Sequence, residues 1–248
     1  MRRVALVTGV GRRAGIGAGI VARLAADGWD IGYSYWQPYD ERMTWGTDDE
    51  APELIQRQLA DLGVRAHPVS ADFTDVEAPG RVLDQVTEAL GPVRALVMAH
   101  CESVDSGLLD TTVESFDRHF AVNARATWLL IKEFAARYRD PFGAGRIIAL
   151  TSDHTVDNLP YGASKGALDR ITIAAARELS QLGVTANVIN PGPVNTGWMS
   201  PELVERLTAQ TPLGRLGQPA DCANLVAFLC SEQGGWINGQ LLWSNGGL

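Results

Sequence analysis

Short apolar runs alternate along this chain with longer stretches of helical period. Val4–Thr8, Asp30–Tyr35, Ala66–Ser70, Ala95–Ala99, Arg146–Thr151, Thr185–Asn190 and Gln240–Ser244 read as strands. They are rich in Val, Ile, Leu and Ala with little polar alternation, the mark of strands covered on both faces, hence of a parallel sheet with crossover helices. Ile16–Ala26, Pro52–Leu62, Pro79–Leu90, Phe116–Arg139, Tyr161–Leu182 and Pro219–Cys230 read as those helices. The pattern predicts one α/β domain, doubly wound, with a seven-stranded parallel sheet and helices on both faces. The sequence holds no repeat, low-complexity tract or interdomain linker. Two irregular stretches interrupt the alternation. Trp36–Glu50 is a long polar and aromatic connection where a short loop is expected. Asn195–Thr211 follows a Pro-Gly-Pro break and holds a short helical segment. Both fall near the carboxyl ends of strands, where open α/β sheets bind ligands.

Composition narrows the partners. The chain has 248 residues, 46% hydrophobic and 20% charged, with net charge −8. That acidity argues against nucleic acid or an anionic membrane. No apolar run approaches the ~18 residues of a membrane span. The basic start Met1-Arg2-Arg3 leads into an apolar stretch, Val4 to Val7, too short for a signal peptide. Cys101, Cys222 and Cys230 show no metal or redox spacing. Cys222 and Cys230 lie two turns apart on one predicted helix, about 12 Å, too far to bridge. The expectation is a reduced, cytoplasmic protein.

The candidate chemistry begins with Tyr161 and Lys165. At i and i+4 they share one helix face. An ammonium beside a phenol favours phenolate and lowers its pKa from about 10, which suits proton transfer near neutrality. Between the first strand and first helix runs Thr8-Gly9-Val10-Gly11-Arg12-Arg13-Ala14-Gly15-Ile16-Gly17. Glycines let a backbone turn approach a pyrophosphate, and the helix N-terminus attracts its charge. Gly9-x-Gly11-x-x-Ala14 fits the general dinucleotide fingerprint but puts Gly15, Gly17 and Gly19 inside the helix, at ~1 kcal/mol each. Gly9, Gly15 and Gly17 are therefore the preferred working glycines, in a Rossmann-type turn. The second strand ends Tyr33-Ser34-Tyr35-Trp36, without the carboxylate that holds the ribose hydroxyls of NAD. Arg12 and Arg13 suit a 2′-phosphate instead. This favours NADP(H) over NAD(H).

Taken in order, these pieces resemble the short-chain dehydrogenase/reductases, of the single-domain type that includes 3-oxoacyl-acyl-carrier-protein reductases. The match continues through Asp72, Val122-Asn123-Ala124, Ser152, Asn190-Pro191-Gly192-Pro193-Val194-Asn195-Thr196, Gly214-Arg215 and the tail Gly239 to Gly247, essentially end to end. The resemblance implies Tyr161 as acid/base and Lys165 as the residue that tunes it and holds the nicotinamide ribose. It implies Ser152 on the substrate carbonyl and Asn123 holding a relay water. Asp72 would contact adenine and Thr196 the nicotinamide carboxamide. The expected cofactor site is Gly9, Arg12, Arg13, Gly15, Ile16, Gly17, Asp72, Tyr161, Lys165, Pro191, Gly192, Val194 and Thr196, with no metal. The implied activity is hydride transfer between NADP(H) and a small-molecule carbonyl or alcohol, possibilities ranging from ketoacyl thioesters to xenobiotic ketones. A homotetramer is implied, paired through Phe116–Arg139 and Tyr161–Leu182, where Ile171, Ile173 and Ala174–Ala176 nearly encircle the helix. A substrate lid is expected at about 195–212.

The chain also departs from the family. The phosphate turn is two residues longer than usual, so the aim of Arg12 and Arg13 is open. Met98-Ala99-His100-Cys101 stands where Asn-Asn-Ala-Gly is usual, so support for that loop must come from elsewhere. The segment before Tyr161 is short, and Thr151 could compete with Ser152. His100 and His154 read as structural, and Asp48-Asp49-Glu50 as a solvated start to a helix. Trp198 and Met199 read equally as pocket lining or as core and oligomer contacts. The seven tryptophans form no spaced stripe. A non-catalytic nucleotide-binding regulator and an interaction protein using Trp36–Glu50 are the other classes. An enoyl reductase is disfavoured, because that branch spaces its Tyr and Lys more widely.

Overall fold

A computed structural model describes residues 2–248; Met1, part of the basic start, lies outside them. Seven parallel strands form one sheet in the order β3-β2-β1-β4-β5-β6-β7. They are β1 (Val4–Thr8), β2 (Asp30–Tyr35), β3 (Ala66–Ser70), β4 (Val93–Met98), β5 (Arg146–Leu150), β6 (Thr185–Asn190) and β7 (Leu241–Trp243). The chain order reverses between β1 and β4, so the crevice between their carboxyl ends is the place for a ligand. β1, β5 and β6 are buried at every position, as the continuous apolar runs predicted.

Helices α1 (Ile16–Ala26) and α9 (Pro219–Cys230) pack together on one face with α3 (Ala51–Asp61). Their core holds Val7, Ile20, Leu24, Trp29, Ile31 and Val226. On the other face lie α4 (Ala78–Leu90), α6 (Ala126–Arg137) and α7 (Leu159–Glu178), around Leu6, Leu83, Leu96, Leu130 and Phe134.

Three expectations need correction. The stretch Phe116–Arg139 is not one helix. It divides into α5 (Val113–His119), a π-helical turn (Phe120–Arg125) and α6. A π turn carries an extra residue, often at a functional position, and here it turns Asn123 fully inward. The connection Trp36–Glu50 is not all loop: α2 (Gln37–Glu41) starts it, with Pro38 in its first turn. Asp48 there is not a free solvated carboxylate, because the Arg13 side chain donates to it at 2.8 Å. Within Asn195–Thr211 the helical segment is α8 (Pro201–Gln210), capped by Ser200, whose hydroxyl accepts the Leu203 N–H at 3.3 Å.

Candidate active site

The phosphate turn takes the register of Gly9, Gly15 and Gly17, since α1 begins at Ile16 with Gly15 as its N-cap. Gly9 adopts φ +77°, and a Cβ on it would lie 2.5 Å from the His100 nitrogen. A Cβ on Gly17 would lie 2.5 Å from the Gly9 oxygen. No side chain fits either place, so the turn is packed to backbone contact. The first turn of α1 has neither a side-chain cap nor an acidic residue. Its N–H groups are left to an anion, and this donor set fits a dinucleotide diphosphate.

His100 supplies the support that the missing asparagines would have given. It is buried, with Nε2 3.0 Å from the Val122 oxygen and Nδ1 2.6 Å from the Thr8 hydroxyl. The carbonyl only accepts, so Nε2 carries the proton and Nδ1 accepts from Thr8. Burial, aided by the charge of Lys165, drives the His100 pKa down to about 3. It is a neutral bracket joining the phosphate turn to the π turn.

Ser152, just past β5, accepts the His154 N–H at 3.2 Å, and its side chain is near enough to the Tyr161 phenol to favour the phenolate. Thr151 does not compete: it is buried, with its hydroxyl turned toward the Lys165 carbonyl at 3.5 Å. Tyr161 and Lys165 occupy the first two turns of α7, with Lys165 Nζ 5.7 Å from the phenol ring centroid. The ammonium donates to the Leu150 carbonyl at 2.9 Å. Here the electrostatic expectation fails. Burial raises the phenol's pKa, neighbouring Cys101 adds to the rise, and nearby Ser152 opposes it. Burial also lowers the Lys165 pKa. The Lys165 ammonium does not offset the desolvation of the phenol, since it is turned to the Leu150 carbonyl.

Asn123 is fully buried. Its Nδ2 donates to the Glu102 oxygen at 2.8 Å and to Ser164 Oγ at 2.9 Å, while Oδ1 accepts the Glu102 N–H at 2.8 Å. Ser164 Oγ in turn donates to the Tyr161 carbonyl at 2.8 Å. The amide thus ties the π turn to the loop after β4 and to α7. Any water held by this side chain would have to use the second lone pair of Oδ1.

The remaining expected residues lie in the turn after β1 and in the loops after β3 and β6. Asp72, past β3, accepts the Thr74 N–H at 2.8 Å. Pro191, Val194 and Thr196 are buried in the turn after β6, where Gly192 N–H donates to Asn190 Oδ1 at 3.0 Å. Arg12 and Arg13 diverge. Arg13 is exposed and paired with Asp48, whereas Arg12 lies 3.5 Å from Asp40 and donates to the Thr196 carbonyl at 3.2 Å. His154 is exposed and stands outside the cluster.

The sequence alone did not mark what Trp36–Glu50 does. It forms a strap across the crevice. Arg42 clasps buried Glu102 with two bonds, 3.1 and 2.9 Å, and the Tyr39 hydroxyl donates to the Ser103 oxygen at 3.3 Å. Trp45 stacks on Trp198 at 4.7 Å between centroids, ring planes parallel. The aromatic and acidic composition of the strap was the available signal; the partners of Tyr39 and Arg42 are 60 or more positions away and left no local trace.

Fold and site together define a dinucleotide-turn α/β protein with a Ser–Tyr–Lys–Asn cluster at its switch point. A family model described as "Enoyl-(Acyl carrier protein) reductase" matches residues 9–248, and the chain belongs to this family of short-chain dehydrogenases/reductases. The chain is 34% identical over 250 residues to "Uncharacterized oxidoreductase YjdA" of Bacillus subtilis, covering 99% of this chain and 96% of that protein. It is 36% identical over 257 residues to the "NADPH-dependent aldehyde reductase-like protein, chloroplastic" of Arabidopsis thaliana, covering 99% and 93%. Among solved structures it resembles a blue fluorescent protein from a metagenomic library in complex with NADPH, with TM-score 0.86, 34% identity and coverage of 99% and 97%. It also resembles a short chain dehydrogenase from Burkholderia cenocepacia in complex with NADP, with TM-score 0.87, 32% identity and coverage of 99% and 97%.

Proposed function

We propose that this protein is an NADP(H)-dependent reductase of aldehyde or ketone carbonyls, with Tyr161 as the proton donor. The observation that carries the reading is the placement of Tyr161 and Lys165 on the first two turns of α7, Nζ 5.7 Å from the phenol ring centroid, with Ser152 beside them, in a crevice whose other wall is the phosphate turn. The NADPH named for an Arabidopsis relative and for a structural neighbour supports the choice of cofactor.

Gly9, Gly15, Ile16 and Gly17 would hold the diphosphate, Lys165 the nicotinamide ribose and Thr196 the carboxamide. Bound there, the cofactor supplies hydride. Ser152 and Tyr161 present two hydroxyls to one carbonyl oxygen, which orients it and stabilises the charge that develops on it. Tyr161 gives its proton to that oxygen. Asn123 keeps α7 and the loop after β4 in register, so that the phenol stays aimed. Asn195–Thr211 would close over the substrate, with Trp198 and Met199 against its apolar part.

The description of the matching family model favours a second reading, reduction of an enoyl thioester. Oxidation of NADPH followed with a panel of aldehydes and ketones beside a 2-enoyl thioester separates them. The proposal expects turnover with a carbonyl substrate. Turnover with the enoyl thioester alone would reverse the ranking, and cofactor binding without any turnover would favour a regulator.

A further inference from the structure

The two arginines of the phosphate turn do not share a destination. Arg12 is half-buried, and its guanidinium has four neighbours from two segments. It lies 3.5 Å from Asp40 and 5.2 Å from the centroid of Trp45, both in the strap. It lies 5.7 Å from the centroid of Trp198 and donates to the Thr196 carbonyl, both in the segment after β6. Asp40 is itself fixed, since Trp45 Nε1 donates to its Oδ1 at 2.8 Å.

Direction decides what such a group can reach. The ribose that carries a 2′-phosphate sits at the end of the second strand. β2 and β6 are separated by β1, β4 and β5, so four spacings of ~4.8 Å put their ends about 19 Å apart. Arg12 bridges the strap that follows β2 and the segment that follows β6, pinned between them by a carboxylate and an indole from the one and a carbonyl and an indole from the other. Arg13 is exposed and has one side-chain partner, Asp48 in the strap that follows β2, which a phosphate can replace. Between those two ends lies the uncapped N-terminus of α1, where a diphosphate bridge would rest.

We propose that Arg12 is an anchor for the diphosphate bridge common to NADPH and NADH, held in place by Asp40, Trp45 and Trp198 as positioning residues, and that Arg13 alone discriminates the 2′-phosphate. The assignment rests on the dinucleotide reading of the crevice and reverses the expectation that both arginines serve the 2′-phosphate. Fixing a planar guanidinium beforehand lowers the cost of its phosphate contacts.

The test is equilibrium titration of the full-length protein with NADPH and with NADH, read by fluorescence. Arg12→Gln should weaken both by a common factor of about 10 to 100, leaving their ratio within about threefold of wild type. Arg13→Gln should weaken NADPH alone by at least about tenfold. Trp45→Ala should weaken both in common, and Trp45→Phe, which keeps a ring beside the guanidinium, should recover most of the loss. An Arg12→Gln variant that loses NADPH selectively, or binds both as wild type does, overturns the assignment. Should Arg12→Gln not fold, the unsubstituted chain decides by another route. Saturating NADP+ and NAD+ should change the emission attributable to Trp45, obtained by difference from Trp45→Phe, to the same extent. A change with NADP+ only overturns the proposal. Binding of neither dinucleotide by the wild type would overturn the cofactor reading itself, and the assignment with it.

Discussion

Tyr161 keeps its proton. With its pKa raised by burial, the phenol is the acid form throughout the neutral range. A reaction that consumes this proton runs at full competence below the pKa and weakens only as pH climbs toward it. The reverse oxidation needs phenolate and gains with every step upward. Rates measured in both directions from about pH 6 to about pH 10 should therefore show a flat reduction limb and a rising oxidation limb. A reduction rate that falls across neutrality would assign the proton to another group. Tyr161→Phe should lower kcat by about 10²-fold or more while leaving NADPH affinity intact, since the phosphate turn is untouched. His100 acts on stability instead. Its pKa is about 3 in the fold against 6.5 without it, so the unfolded chain binds the proton first as pH falls. Stability is complete above about 6.5 and declines toward about 3. His119, also lowered by burial, adds to the same slope. Urea unfolding of wild type and His100→Asn across the upper part of that window should give a shallower slope for the variant. His100→Ala should cost about 1–3 kcal/mol at neutral pH, because it strands the Thr8 hydroxyl and the Val122 carbonyl.

At the scale of elements, β1, β2, β3 and β6 and helices α1 and α9 were readable to the residue, because each is a run whose burial is set by its own period. The divided helix was not. A π turn around Asn123 has no periodic signature; it is stabilised by bonds to Glu102 and Ser164, which lie 21 and 41 positions away. The strap escaped for the same reason, since Arg42 meets Glu102 across 60 positions. The roles expected of single residues were legible as far as side-chain type and spacing reach. What an ammonium does next to a phenol depends on where it points, and Lys165 points at Leu150. The Trp45–Trp198 stack also changes the expectation for the lid. Closure of Asn195–Thr211 over a substrate should slow hydrogen exchange there when NADPH and a substrate analogue are bound. Trp45→Ala should speed exchange across the same segment before any ligand is added. Equal exchange in wild type and variant would mean that the strap does not hold the lid.

The whole molecule presents apolar surface on the two sides that the family resemblance marks for association. Trp128 on α6 is half exposed and borders a shallow hollow with Phe120, Ala124 and Ile171. Trp236 and Trp243 stand exposed beside the sheet edge formed by β7. A homotetramer is the expected state, and light scattering at micromolar concentration checks it; a stable monomer there would contradict it. Among the described residues no helix is long and apolar enough to cross a membrane, and no group of side chains is suited to a metal. The three thiols carry a consequence of another kind. Cys222 and Cys230 are buried and pushed up to about 12, and burial raises Cys101 as well. Thiolate is the form that attacks alkylating reagents and peroxide, and at neutral pH Cys222 and Cys230 hold almost none of it. In a Cys101→Ser background, a single cysteine introduced on the exposed Glu41 of the strap would take a maleimide dye while the two buried thiols stay silent. With that one thiol replaced, burial of the other two leaves a quiet background for labelling the segment that crosses the crevice.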